Sequence, residues 1–256
     1  MPILERPGAR IYYETVGEGP ALIFAHGAGG NAAIWFNQLA HFAPAYQCVA
    51  FDHRYFARSP ASGDISVHQF RDDLLGIMDA LDIDQAHLVG QSMGGFTVLR
   101  TTLDAPDRVL SLTLSCTSGG IVNPNPTPAM QALTRASGRD TGGIQASMSQ
   151  ATQTRPALMQ LYESINNFNL AFTWDKLSTL LQKEDVVQLD QLADIACPSL
   201  LVAGAEDPLF PHALLASYLP YFPAASLIEI ADAGHSPYFE QPDAFNQALA
   251  RHLQSA

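Results

Sequence analysis

A serine set among glycines, in Gly90-Gln91-Ser92-Met93-Gly94-Gly95, is the feature of the chain best suited to chemistry. It lies between an apolar run, Ala86–Gly90, and a helical pattern, Gly95–Leu103, the strand–turn–helix setting of a nucleophile elbow. So tight a turn drives Ser92 toward an uncommon backbone conformation, and side chains at Gly90, Gly94 or Gly95 would collide with the crossing backbone. The hydroxyl is then held at the C-terminal edge of a sheet, beside free N–H groups at a helix start that favour negative charge. The alternative is a glycine-rich turn with an incidental serine.

A serine hydroxyl is a weak nucleophile until a base takes its proton. His235, in Ala233-Gly234-His235-Ser236-Pro237, follows the apolar run Leu227–Ile230 and is placed to swing over the sheet edge. His41, His68 and His252 fall in helical patterns, His87 and His212 flank elements without a partner motif, and His26 and His53 precede the serine. The histidine needs a carboxylate to fix its tautomer and stabilise the imidazolium. Asp207, in Gly204-Ala205-Glu206-Asp207-Pro208 after the run Leu200–Ala203, precedes His235 by 28 residues, room for one helix and one strand. Glu206 is the competing carboxylate, and Asp232 stands too close to His235.

An acyl-transfer site also needs N–H donors where the oxyanion forms. His26-Gly27-Ala28-Gly29-Gly30-Asn31 follows the run Ala21–Ala25, and its glycines let backbone approach a ligand. The N–H groups of Ala28 and Met93 are the expected donors, with His26 supporting the loop. A phosphate-cradling loop is disfavoured, because no Lys-Ser/Thr follows and no G-x-G-x-x-G is completed.

These residues need a parallel sheet to hold them. Arg10–Val16 alternates at period two, as an edge or antiparallel strand would, whereas Ala21–Ala25 and Gln47–Phe51 are continuously apolar, as buried central strands are. Ala32–Phe42 is a helix candidate. Ser66 opens a helix through a capping box with Gln69, and Val67, Phe70, Leu74, Ile77 and Leu81 repeat at helical spacing. Val109–Ser115 and Ser199–Ala203 add strands, Pro211–Tyr218 a helix, Ser226–Ile230 a strand and Pro242–Leu253 a final helix. This β–α alternation predicts an α/β fold with a mostly parallel sheet flanked by helices. It is interrupted after Ser118 by proline- and glycine-rich Ser118–Pro128 and then by helical patterns such as Pro156–Ile165. Residues 1–118 and 197–256 are therefore expected to form the core domain, and 119–196 an inserted helical cap.

Composition narrows the function classes. The 256 residues are 47% hydrophobic and 15% charged, sufficient for a large buried core. Thirteen basic against 25 acidic residues give a net charge of −12, which repels nucleic acid and anionic membrane surfaces. The apolar runs are too short for a membrane span, and the N-terminus lacks the apolar region of a signal peptide. Cys48, Cys116 and Cys197 are scattered and odd in number, which suits reduced thiols in a cytoplasmic protein. Neither C-x-x-C nor H-E-x-x-H occurs, so no metal and no cofactor are expected. The expected partner is a small-molecule substrate, and the chain a monomer or homodimer. For the pocket wall, Trp35 faces either the site or the core, and Phe168, Phe172 and Trp174 stand near Asn166, Asn167 and Asn169, a set that suits an apolar ligand with a few polar atoms or the packing surface of a lid. Arg135, Arg139 and Arg155 against Asp140 give the start of the insertion a surplus of positive charge. That surplus marks either solvated helix faces or an entrance suited to a substrate carrying a carboxylate.

The loop beginning His26-Gly27, the GQSMGG turn, GAEDPLFP and AGHSPYFEQP occur in one order. In that order the chain resembles the α/β-hydrolases over nearly its whole length except the insertion. Within them it is similar to the bacterial carboxylesterases, enol-lactonases, cofactor-free haloperoxidases and carbon–carbon bond hydrolases. The resemblance implies a triad Ser92–Asp207–His235, a cap over about 117–196, and a water-consuming acyl-enzyme cycle on a carboxylic ester or lactone. Relatives that carry the acid one strand earlier would have it within Ser115–Ser118, where there is no carboxylate. Alternatives on the same residues are hydrolysis of a carbon–carbon bond in a vinylogous diketone, a perhydrolase or haloperoxidase-like reaction, and a small-molecule receptor. One segment departs from the family's D-x-R-G-x-G-x-S. In Asp52-His53-Arg54-Tyr55-Phe56-Ala57-Arg58-Ser59, Tyr55 and Ala57 replace both glycines. The expectation is a loop that avoids positive φ, with Tyr55 and Phe56 either structural or shaping the pocket.

Overall fold

A computed structural model describes residues 2–122, 144–180 and 185–256. Eight strands form one sheet in the order β1-β2-β4-β3-β5-β6-β7-β8. They are β1 Ile3–Arg6, β2 Ala9–Val16, β3 Ala21–Ala25, β4 Gln47–Phe51, β5 Ala86–Gln91, β6 Val109–Ser115, β7 Ser199–Gly204 and β8 Ala225–Ile230. The pairs β1–β2 and β2–β4 are antiparallel, and every pair from β4 onward is parallel. β1 has no sequence signal, because its four residues are short, half-exposed and not continuously apolar.

Continuous apolar runs arise because both faces of the central strands are covered. Ile23, Val49, Phe51, Leu201 and Ala203 point into one core. Their chain neighbours Leu22, Phe24, Cys48, Ala50, Leu200 and Val202 point into the other. Helices α1 Phe36–Phe42, α2 Val67–Ala80 and α3 Met93–Asp104 connect the first strands. The first core is closed by Leu74, Ile77 and Met78 of α2 with Val98 and Leu99 of α3. The Ser66–Gln69 capping box is present, with reciprocal bonds of 3.1 and 3.3 Å. The Ala32–Phe42 pattern divides into a 3₁₀ turn, Ala32–Trp35, and α1.

Between β6 and β7 the described residues are helical: α4 Gln150–Gln153, α5 Pro156–Asn166, and 3₁₀ turns at Ile144–Ser147, Trp174–Thr179 and Leu189–Asp194. The two ends of this stretch meet in a parallel bridge, Ile121 with Val187. Val122 N–H donates to Val187 O at 2.8 Å and Val187 N–H to Gly120 O at 3.0 Å. After β7 come α6 His212–Ala216, α7 Pro237–Glu240 and α8 Pro242–Gln254. Phe245, Leu249 and Leu253 of α8 close the second core with Phe42 of α1.

Tyr55 and Ala57 contradict the expectation that their loop avoids positive φ, at 71° and 37° respectively. Neighbouring bonds hold the conformation. Tyr55 N–H donates to Ser59 O at 2.9 Å, the Tyr55 hydroxyl donates to Gly63 O, and Ala57 N–H donates to Asn169 Oδ1 at 2.9 Å. Asp52 gathers the loop from below, accepting from Arg58 N–H at 3.0 Å and Arg58 Nε at 2.7 Å. Local bonds at Tyr55 and a bond from the insertion at Ala57 thus replace the conformational freedom of glycine.

Candidate active site

Ser92 links β5 to α3 with φ 50° and ψ −117°. Its N–H donates to Ser115 O at 3.0 Å, and its carbonyl accepts from Gly95 N–H at 2.9 Å and Thr117 Oγ1 at 2.7 Å. The turn leaves no room for Cβ atoms. One on Gly94 would lie 2.0 Å from Ala25 O, one on Gly90 2.5 Å from Gly94 O, and one on Gly95 2.3 Å from Thr117 Cγ2. Ser92 itself is half-buried, so it remains reachable. α3 begins at Met93, two residues before the sequence pattern predicts, because the helix starts directly from the strained serine.

The loop after β3 lies against this turn: a Cβ on Gly27 would stand 3.0 Å from Ser92 Cβ and 2.1 Å from Gln91 Oε1. Among the described residues, the N–H groups of Ala28 and Met93 donate to no protein acceptor. Buried His26 braces the loop, with Nδ1 2.8 Å from Gly27 O and Nε2 accepting from His53 N–H at 3.0 Å. That acceptor role places the ring proton on Nδ1. Burial pushes the His26 pKa down to about 4, against a smaller rise from the Gly27 carbonyl. The ring is therefore a neutral strut.

His235 and Asp207 are brought together from the loops after β8 and β7. His235 Nδ1 lies 3.0 Å from Asp207 Oδ2, with both side chains buried. Leu209 N–H donates to the other carboxylate oxygen at 2.8 Å. Burial raises the Asp207 carboxyl, but the charge and hydrogen bond of His235, with N–H donors at Leu209 and Phe210, outweigh it and hold the carboxyl below the ordinary range. The Phe210 ring stacks on the imidazole at 5.7 Å, and Gln91 Nε2 donates to His235 O at 2.8 Å. His235 Nε2 is buried and unpartnered, so no hydrogen bond yet joins it to Ser92. Such contacts are commonly long before substrate binds and tighten in the complex. Exposed Glu206 turns elsewhere and accepts from Gln150 N–H at 2.7 Å. Asp232 is exposed too, in a left-handed turn.

Cys116 stands where an acid one strand earlier would stand. Its sulfur and the ligand-type atoms of Asp207 and His235 lie within 4.8 Å of one another. Burial, then the Asp207 charge, pushes the thiol well above its ordinary pKa. Its sulfur lies 3.7 Å from Gly234 O.

Of the residues expected in the pocket wall, Phe172 and Trp174 join Ala28 and Met93 in one apolar cluster, with Tyr55, Phe56 and Phe70. Phe56 stacks on Phe172 at 4.3 Å, and Phe172 meets Trp174 at 5.4 Å. Trp35 is not brought there; it is fully buried in the second core, 5.1 Å from Phe24 and 4.3 Å from Tyr238. Phe168 is 61% exposed. Of the nearby amides Asn169 serves the backbone, while Asn166 Oδ1 is buried without a hydrogen-bond partner. Asn169 Nδ2 donates to Gly29 O, and Asn31 Nδ2 reaches across to Ile165 O at 2.8 Å. Arg135, Arg139 and Asp140 lie outside the described residues, and Arg155 is exposed at the start of α5.

The family model described as the alpha/beta hydrolase fold matches residues 20–242. The chain belongs to the α/β-hydrolase family. Among its relatives, 3-oxoadipate enol-lactonase 2 of Acinetobacter baylyi is 29% identical over 247 residues, covering 93% of this chain and 90% of the relative. The solved structure of Est816, described as an N-acyl homoserine lactone degrading enzyme, superposes with a TM-score of 0.83 at 28% identity, covering 97% of this chain and 99% of that one. The enol-lactonase of Burkholderia xenovorans LB400 shares the fold, with a TM-score of 0.84 at 22% identity and 99% and 100% coverage. This chain is a hydrolase of the α/β fold. Among its described residues no helix is long and apolar enough to cross a membrane.

Two parts of its site escaped sequence reasoning: Gln91 with its bond to His235 O, and Cys116 beneath Asp207. Neither has a local signal, since each contact joins segments more than 90 residues apart. Proximity of Gln91 to Ser92 was the one available hint.

Proposed function

We propose that the enzyme hydrolyses the ester or lactone bond of a small molecule through Ser92, His235 and Asp207, beneath a helical cap formed by residues 119–196. The observation that carries this reading is the buried imidazole. Its Nδ1 is 3.0 Å from Asp207 Oδ2, and its Nε2 is unpartnered.

His235 Nε2 accepts the Ser92 proton as the hydroxyl oxygen attacks the carbonyl carbon. The tetrahedral oxyanion is met by the N–H groups of Ala28 and Met93, preorganised by the turn and by the braced loop. Asp207 stays ionised and stabilises the imidazolium. His235 returns the proton to the leaving alkoxide, which leaves an acyl-Ser92 ester. Water, deprotonated by the same nitrogen, attacks that ester and releases the acid and Ser92. In a lactone the leaving oxygen remains tethered to the acyl group, so product departs only after the second step. Phe56, Phe172 and Trp174 supply apolar surface beside the Ala28 and Met93 turn, and the names of the enol-lactonase and of the N-acyl homoserine lactone degrading enzyme support a lactone as substrate.

A screen of p-nitrophenyl esters of graded acyl length, alongside lactones and a vinylogous dienone, tests the assignment. Turnover of esters or lactones by wild type, and its loss in Ser92→Ala, is the expected result. Fast dienone cleavage with negligible ester and lactone turnover would overturn it.

A further inference from the structure

The proposed base is held by more than Asp207, and the hold comes from a residue with no part in the triad. Glu240, at the end of α7, is 1% exposed. Its Oε1 accepts from Gly234 N–H and Ser236 N–H, both at 3.0 Å, gripping the backbone on either side of His235. Its Oε2 accepts from Ser149 N–H at 2.8 Å, in the segment that enters α4. Among the described residues no cation forms an ion pair with Glu240. Its charge is met by three N–H donors, an arrangement that suits an acceptor-only carboxylate.

The segment around Ser149 makes the same connection from its other end. Ser147 O accepts from the N–H of His235 itself at 2.9 Å. Gly234 packs so closely that a Cβ there would stand 2.2 Å from Ser147 O and 2.7 Å from Ser149 N. Gln150 N–H, one residue on, donates to Glu206, the neighbour of Asp207. Residues 147–150 therefore touch the backbone of the loop that carries the imidazole and the Glu206 side chain of the loop that carries its acid.

We propose that Glu240 is a positioning residue for His235, and that through it residues 147–150 form a fixed brace of the catalytic loops rather than part of a moving lid. This rests on the assignment of His235 as the base. A misplacement of about 1 Å in a catalytic group can cost on the order of 10²-fold in rate, and the three bonds to Glu240 oppose such a displacement.

Glu240→Gln separates positioning from mere stability. The amide keeps the shape but sets an NH2 group against at least one of the three N–H donors. The readout is the rate at which a fluorophosphonate labels the protein, measured well below its melting temperature, together with kcat and KM on a p-nitrophenyl ester. The expectation is a roughly 10–100-fold slower labelling rate and kcat with KM within about twofold. Ser149→Pro suits the local φ of −60°, but its ring carbon takes the place of the hydrogen that meets Glu240 Oε2 at 2.8 Å and pushes the carboxylate away, so it too is expected to slow labelling. Gln241→Ala, which loses a bond to Asp232 O outside the brace, is expected to label at the wild-type rate. Wild-type labelling in folded Glu240→Gln, whatever its melting temperature, would overturn the proposal; if that variant does not fold, unaltered labelling and kcat in Ser149→Pro would do so. Failure of the underlying assignment looks different: wild type itself would not label at Ser92.

Discussion

Ser92 illustrates how one residue's backbone would serve the chemistry proposed for it. Its φ of 50° is disfavoured for any residue with a Cβ, and the crowding of three glycines around it enforces the conformation. Replacing Ser92 or His235 by alanine is expected to lower kcat by on the order of 10⁵–10⁶ with the fold retained. Asp207→Asn should cost about 10⁴, since the amide misdirects the imidazole tautomer. Steady-state kinetics beside circular dichroism checks both, and a folded Ser92→Ala protein with full turnover would contradict them. These three residues were legible because each sits in a short, ordered signature behind an apolar run. Glu240 was visible as a letter of AGHSPYFEQP but its role was not, because its partners at 149 and 234 meet it through the fold alone.

Among the elements, the elbow and the loop Asp52–Ser59 carry opposite lessons. At the elbow the glycines are obligatory: with backbone 2.0 Å from a Cβ on Gly94, Gly94→Ala should destabilise by about 3 kcal/mol or more, or prevent folding. At Ala57, with φ 37°, the strain is borne by a residue with a side chain, so Ala57→Gly should be neutral to stabilising by up to about 1 kcal/mol. Urea unfolding of both variants measures this; a tolerated Gly94→Ala would show that β3 and the turn can part. The parallel strands could be read from sequence because burial on both faces writes a continuous apolar run, as in Ala21–Ala25. β1 could not, because its half-exposed residues write no pattern. The positive φ of Ala57 runs against its sequence expectation because Asn169, which accepts from Ala57 N–H, lies 112 residues away.

For the whole molecule, burial of neutral histidines ties stability to pH. The His26 pKa is pushed from 6.5 to about 4 and that of His53 well below 6.5, in both cases first by burial. The unfolded chain takes up these protons first, so stability is full above about pH 6.5 and declines as pH falls toward 4. His26 alone accounts for about 3 kcal/mol over that window. Asp207 acts lower: its depressed carboxyl contributes above the ordinary carboxylate range and loses that contribution only as pH falls through its own lower value. A urea midpoint clearly lower at pH 5 than at pH 7 is expected; equal midpoints would contradict the neutral-strut account of His26.

The central claim is that Ser92 carries the acyl group between two chemical steps. Intact-protein and peptide mass spectrometry on samples acid-quenched during turnover of a p-nitrophenyl ester tests it most directly. The account predicts one acyl group per chain, on the peptide containing Ser92, absent from Ser92→Ala. An unmodified serine throughout turnover, with the Ser92→Ala variant hydrolysing the ester at the wild-type rate, would contradict it.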